Sequence, residues 1–158
     1  MTAIQEELWQ KMLLVEFNAL FWRKKAFWLG FRVKVIQFAA AIISGAALSS
    51  FFIDPNFILV NKITGLLAAI LALSLSVFDL RGVLSRVEDT QERFAALYPR
   101  LEELWHKTLL AQLPEEDIAA ALAEITVKMA EIKEPPVAES KRLREESFKE
   151  ICTARRLV

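Results

Sequence analysis

The chain has 158 residues, 54% hydrophobic and 25% charged, and its 20 Lys and Arg balance its 20 Asp and Glu. That balance gives no electrostatic case for binding nucleic acid directly, and the single cysteine, Cys152, excludes an intrachain disulfide. So much apolar residue beside so much charge fits a chain divided between a lipid phase and water better than one small globular core.

Met1–Lys34 reads as an amphipathic helix that either lies in the membrane interface or runs straight into the first apolar run and packs on neighbouring helices. Leu13, Phe17, Leu20, Phe21, Phe27, Trp28 and Phe31 recur at helical spacing and form its expected apolar face. Arg23, Lys24, Lys25, Trp28, Arg32 and Lys34 are the expected membrane-interface residues, with basic groups on lipid phosphates and an aromatic belt beside them. Gly30 permits a bend before the apolar run that follows.

Val35–Phe52 and Ile63–Phe78 are the two apolar runs of the chain, the second extended backwards by Phe57–Val60. A helix rises about 1.5 Å per residue, so roughly 17–25 apolar residues cross a bilayer. A chain of this length has little protein left to cover two such helices on all sides. The expected fold is therefore all-α: an integral membrane hairpin over residues 35–78, preceded by the amphipathic segment 1–34 and followed by a cytoplasmic helical bundle over 79–158. Asp54-Pro55-Asn56 in the loop Ile53–Lys62 is a turn signal. Basic residues flank the hairpin and are nearly absent from the loop, which puts both termini in the cytoplasm and the loop outside.

Small residues recur along both runs: Ala41, Gly45 and Ser49 on the first, Gly65, Ala69, Ala72 and Ser76 on the second. Such rows allow close helix approach in lipid, within one chain or between copies. Gln37, Ala41 and Ser44 share one face of the first run. As the one strongly polar side chain inside the first run, Gln37 needs a partner or water. In an oligomer this face would line a narrow conduit; alternatively Gln37 is wetted from the cytoplasmic boundary. Asp79, just past the second run, is expected to pair with Arg32 or Lys34.

After Asp79 a helix is expected with a 3-then-4 apolar seam that includes Phe94, Leu97, Leu101 and Leu104, and Pro99 is expected to kink it. Leu113-Pro114-Glu115 ends one helix and starts another, whose stripe is Ile118, Leu122, Ile125, Met129 and Ile132. The two seams serve either an oligomer or an intrachain bundle. A last helix over Ala138–Arg155 would bury Leu143, Phe148 and Ile151. No strand is expected. His106 is the only histidine and has no metal-ligand spacing, and no phosphate-loop, dinucleotide or nucleophile motif occurs. No enzyme activity, metal or cofactor is expected.

Three stretches resemble the SLATT family of small two-transmembrane proteins from bacterial conflict and antiphage systems. Val15-Glu16-Phe17-Asn18-Ala19 with the aromatic and basic Phe21–Leu29 and Trp28-Leu29-Gly30 looks like the family's opening helix. Arg93–Leu97 with Tyr98–Leu104 is similar to its post-membrane helix. Leu122-Ala123-Glu124-Ile125 through Glu134-Pro135-Pro136-Val137 looks like its late helix ending in a proline pair. The chain departs from the family at Leu20-Phe21-Trp22, where a histidine or similar polar residue is common. The resemblance implies a homo-oligomeric effector that breaches the membrane on a signal, with lipid and a protein or nucleotide-signalling component of the same system as partners. Two other readings share the hairpin: a membrane-anchored scaffold docking a cytosolic partner, and a holin-like lysis protein, which would seldom need so long a cytoplasmic part.

Overall fold

The computed structural model describes the backbone of residues 2–50, 58–77, 79–110, 112–138 and 140–155, and the side chains of these except 44–50, 58–61, 71, 72 and 74–77. The described residues form helices and no strands: α1 (Ala3–Ser50), α2 (Ile58–Val77), α3 (Leu80–Leu109), α4 (Glu115–Glu131) and α5 (Lys141–Arg155). Two compact units divide the chain. A bundle comprises Met1–Ala26 with Arg86–Val158, and an apolar unit comprises Phe27–Ser85.

Local chemistry sets the helix ends. At α1 the Gln5 N–H donates to Thr2 Oγ1 at 3.3 Å while Gln5 Oε1 accepts from the Thr2 N–H at 2.9 Å, a reciprocal capping box. α1 then runs through Gly30 and Lys34 as one helix, so the opening segment is continuous with the first apolar run. α2 begins at Ile58, so Lys62 lies within the helix instead of closing a loop. The turn signal at Asp54-Pro55-Asn56 lies outside the described residues. α3 starts from Asp79, whose φ of 41° is left-handed, a region Asp tolerates better than most residues. Its Oδ1 accepts from the Gly82 N–H at 3.2 Å and its carbonyl from the Val83 N–H at 2.9 Å, so Asp79 serves as an N-cap. α3 continues through Pro99 to Leu109. α4 has no side-chain cap, but Glu115, Glu116 and Asp117 place negative charge on its positive end. α5 starts three residues later than the sequence suggests, because Ser140 caps it: its Oγ accepts from the Leu143 N–H at 3.4 Å.

The bundle core joins α1, α3 and α4. Leu8, Met12 and Val15 of α1 meet Leu97, Leu101 and Leu104 of α3 and Ile118, Leu122 and Ile125 of α4. Met129 and Ile132 pack against this cluster from its edge, as do Trp9 and Trp105, whose rings lie 5.2 Å apart. The buried face of the first part of α1 overlaps the expected one only in part. Phe21 is buried and Leu13, Phe17 and Leu20 are half-buried, while Leu8, Met12, Val15 and Trp22, outside the expected row, also face inward. Hydroxyls inside the seams satisfy themselves on their own helices: Thr90 Oγ1 donates to the Arg86 carbonyl, Thr108 Oγ1 to Leu104 and Ser147 Oγ to Leu143, at 2.7–2.8 Å. On α5 it is Ser147 that is buried with Leu143 and Ile151, and Phe148, expected inside, is 63% exposed.

Candidate functional site

Within the apolar unit many of the described large apolar side chains point outward, although Val33 is buried. Phe27, Trp28, Phe31, Val35, Phe38 and Ile42 of α1 are exposed, Phe38 by 70%. On α2 the same holds for Ile63, Leu66, Leu67, Ile70 and Leu73, with Leu66 63% exposed. Soluble monomers rarely leave so much contiguous apolar surface open. Among the described residues one stretch, Ala3–Ile43, contains a window long and apolar enough to cross a membrane, and almost none of that window is buried.

The small residues on these helices do not all meet a neighbour. A Cβ built on Gly65 would find nothing within 4 Å, and Ala69 and Ala41 are exposed. The side chains of Ser44, Gly45, Ala72 and Ser76 lie outside the described residues. Gln37 is half-buried and has a partner. With its amide oxygen turned to Arg81, it accepts from Nε at 3.2 Å and from Nη2 at 2.6 Å. A guanidinium donating twice to one amide oxygen is a charge-assisted arrangement that answers the polar demand of this apolar stretch. Asp79 caps α3, as described above. A Cβ on Gly82 would lie 2.3–2.7 Å from the Asp79 carboxylate, so the cap requires glycine there.

The residues expected at a membrane interface differ in exposure. Arg23, Trp28, Arg32 and Lys34 are exposed, Lys24 is half-buried and Lys25 is buried. Arg23, Lys24 and Lys25 also reach groups of the bundle. Lys24 Nζ lies 2.7 Å from Glu150 Oε2, and Arg23 Nη2 lies 3.6 Å from Glu150 Oε1. The hydrogen bond from Lys24 holds the Glu150 carboxyl below its ordinary pKa, against a smaller opposing effect of burial. Lys25 is only 8% exposed and its Nζ donates to the Ala138 carbonyl. The long side chain buries its stem and reaches an acceptor at its tip.

The seam residues Phe94, Leu97, Leu101, Leu104, Ile118, Leu122 and Ile125 are buried within one chain, and Met129 and Ile132 are half-buried beside them. Sequence spacing leaves open whether such seams face another copy. The helices α1, α3 and α4 consume this one internally.

A cluster not visible from spacing joins α1, α3 and α5. Arg155 donates from Nε and Nη2 to Glu16 Oε2 at 3.2 and 3.1 Å and from Nη2 to the Tyr98 hydroxyl, and it lies 5.6 Å from the Trp9 ring centre. Burial lowers the Arg155 pKa, but Glu16 and Tyr98 outweigh it and raise the net value. Burial raises the Tyr98 pKa, Glu16 adds to it and Arg155 opposes. No local motif announces the cluster, since its members lie up to 139 positions apart. Its chemistry is that of a structural clamp.

No family model, curated protein or solved structure matches the chain.

Proposed function

We propose that the protein is a membrane effector of a bacterial antiphage or conflict system. Its apolar unit inserts into the inner membrane as a two-helix hairpin, and both termini remain in the cytoplasm. Copies assemble, and the assembly opens a pore or disrupts the bilayer when a partner or nucleotide-signalling component triggers it. The observation that carries the reading is the outward-facing apolar surface of α1 and α2, which in water would stand exposed. The resemblance to the SLATT family supports the effector role.

An apolar helix near the N-terminus also suits a signal sequence. Against that, Leu8, Met12 and Val15 of the same helix are fully buried in the bundle core. Cleavage after α1 would strip the bundle of one of its three core helices, so the reading here is a retained anchor. Expression together with the activating system, followed with a membrane-potential dye during infection, tests the effector role. Loss of potential is expected, and an unchanged potential overturns it.

The membrane-anchored scaffold is the second reading, and the Gln37–Arg81 hydrogen bonds favour it. An amide whose oxygen is taken up by Arg81 of its own unit offers less to a conduit than one with that oxygen open. Replacing residues 35–78 by an unrelated transmembrane hairpin separates the two. Retained function would favour the scaffold, and lost function with normal membrane insertion would favour the effector.

A further inference from the structure

The outer edge of the bundle carries two charged rows that the core does not use. On α3, Arg86, Arg93, Arg100 and Lys107 recur every seven residues. On α4, Asp117, Glu124 and Glu131 do the same. From Arg93 to Lys107 the basic row, with Glu103 among it, faces the acidic row, with Lys128 among it, across two adjoining grooves that share Arg100. Arg93 and Arg100 line the first with Glu131, and Arg100 and Lys107 line the second with Asp117 and Glu124. Later residues of α3 therefore sit beside earlier residues of α4, so the helices are antiparallel. The floor is apolar: Ala96 is exposed, and Leu113, Ala121 and Ile132 are half-buried.

The charges of the walls remain at the surface. Arg93 pairs with Asp89 at 2.9 Å and Lys107 with Glu103 at 2.5 Å, each along its own helix, and Glu124 pairs with Lys128 in the same way. These side chains keep 38–64% of their area exposed, so their own-helix pairs are weak and exchangeable. The hydrogen bond from Lys128 is the main cause of the lowered Glu124 pKa, and Arg100 across the groove adds a smaller pull.

We propose that these two grooves form the docking face for a second copy of the same chain, related by a two-fold axis parallel to α3 and α4. Such a rotation keeps every residue at its own height and exchanges left for right. The basic wall of one copy then lies over the acidic wall of the other: Arg93 meets Glu131 of the second copy, Arg100 meets its Glu124 and Lys107 meets its Asp117. No shift in register is needed, because these residues already sit level across the groove. A two-fold axis in the same face but perpendicular to the helices would set the basic row on the basic row and the acidic row on the acidic row. The charge pattern thus selects the parallel pairing, in which α3 and α4 of the two copies run in the same direction. The apolar floor supplies contact area, and the charged walls set orientation and exclude the wrong one. This inference rests on the proposed reading that copies of the chain assemble in one bilayer, and it names the surface through which they do so.

The test uses full-length chains in detergent micelles, each made with two different affinity tags so that one copy captures another. One variant carries Arg93→Glu with Arg100→Glu, and a second carries Glu124→Lys with Glu131→Lys. Each alone should lose self-capture by about tenfold or more, since like charges then face each other on both sides of the axis. Mixed together, the two should capture each other nearly as well as the parent captures itself. A chain with all four substitutions should capture itself yet reject the parent. Self-capture by either double variant at the parental level, a mixture no better than its parts, or equal capture of the parent by the fourfold variant overturns the pairing. Circular dichroism of each variant reports folding. Should a double variant fail to fold, the choice the fourfold variant makes between itself and the parent decides. An alkaline wash of membranes is run in parallel. A parent chain released by the wash overturns the membrane reading, whereas retained chains that ignore the charge exchange overturn only the pairing.

Discussion

Leu101 and Leu66 are the same residue in opposite circumstances. Leu101 of the bundle is 0% exposed, enclosed by α1 and α4, while Leu66 of the apolar unit is 63% exposed. The bundle alternates apolar and charged positions, so its helices cover one another's seams and present charge outward. The apolar unit instead leaves a row of large apolar side chains uncovered on each of its described helices, from Phe27 to Ile42 and from Ile63 to Leu73. Burying one large aliphatic or aromatic side chain is worth about 1.5–3 kcal/mol. The bundle gains this from protein, and in the proposed reading the apolar unit gains it from lipid tails.

Matched truncations sharpen the contrast most. Leu101→Ala should destabilise the bundle by about 2–5 kcal/mol, through lost burial and the cavity left behind. Leu66→Ala should change its stability by no more than about 0.5 kcal/mol, as expected for a surface position. Denaturant unfolding in detergent, followed by circular dichroism, measures both. Equal effects would break the comparison. A charge at the exposed site asks which solvent covers it. Leu66→Arg lies near the middle of α2, where inserting an arginine costs about 2.5–3.5 kcal/mol. The membrane-integrated fraction should fall sharply, while the circular dichroism of the bundle should not change. An unaltered membrane fraction would show that Leu66 does not face lipid.

The two regions also differ in how far the sequence reveals them. In α3 polar residues separate the apolar ones, so the 3-then-4 spacing marks Leu80, Val83, Val87, Thr90, Phe94, Leu97, Leu101, Leu104 and Thr108. The helix buries the last seven and leaves Leu80 and Val83 half-buried, while Ala111, also on the spacing, lies outside the described residues. α1 has no such contrast. Apolar residues occur on every face of it, and the aromatic row from Phe17 to Phe31 draws attention from the Leu8–Met12–Val15 row that the core uses. The inward face of such a helix is chosen by its partners, which spacing along one segment does not encode. Phe148 and Ser147 show the same limit. Hydrophobicity favours the phenylalanine, but the register of α5 turns the serine inward, and its hydroxyl finds the Leu143 carbonyl. Basic residues are ambiguous for a related reason. Arg23, Lys24 and Lys25 suit a lipid headgroup in sequence, and only the position of α5 reveals Glu150 and the Ala138 carbonyl as their acceptors. Of the candidate membrane face, Gln37 announces a need for a partner, but nothing local identifies Arg81 as that partner.

A smaller effect is expected at the turn from α2 into α3. Alanine normally stabilises a helix by about 0.8–1 kcal/mol over glycine. At Gly82 the added Cβ would lie 2.3–2.7 Å from the Asp79 carboxylate and displace the cap, which is itself worth about 1 kcal/mol. Gly82→Ala alone should therefore leave stability nearly unchanged. In an Asp79→Ala background, with no cap left to lose, the same substitution should stabilise by about 1 kcal/mol. Thermal unfolding of the four chains in detergent gives the coupling, and strict additivity would remove the steric explanation.

The smallest expected effect lies on the charged side of the bundle. The Glu150 pKa is lowered, chiefly by the hydrogen bond from Lys24, so the unfolded chain takes up its proton at higher pH than the folded one. The resulting stability is fully present above the ordinary glutamate pKa of about 4.3 and is lost as pH falls through the lower folded value. The Glu150 side chain is 45% exposed, and solvent screening limits the pair to about 0.3–0.5 kcal/mol. Glu103 and Glu124 also have lowered pKa values, each held by a lysine four residues on, so acid weakens the whole bundle at once. The difference between the parent chain and Glu150→Gln isolates one pair. As pH falls from 6 toward 3 the parent should lose more stability than the variant, by at most about 0.3–0.5 kcal/mol, and the gap between the two should narrow. High salt should shrink the difference at pH 6, because the pair is exposed to it. A difference that grows toward pH 3 would mean that Glu150 acts in its protonated form, and Lys24 would then not be its principal partner.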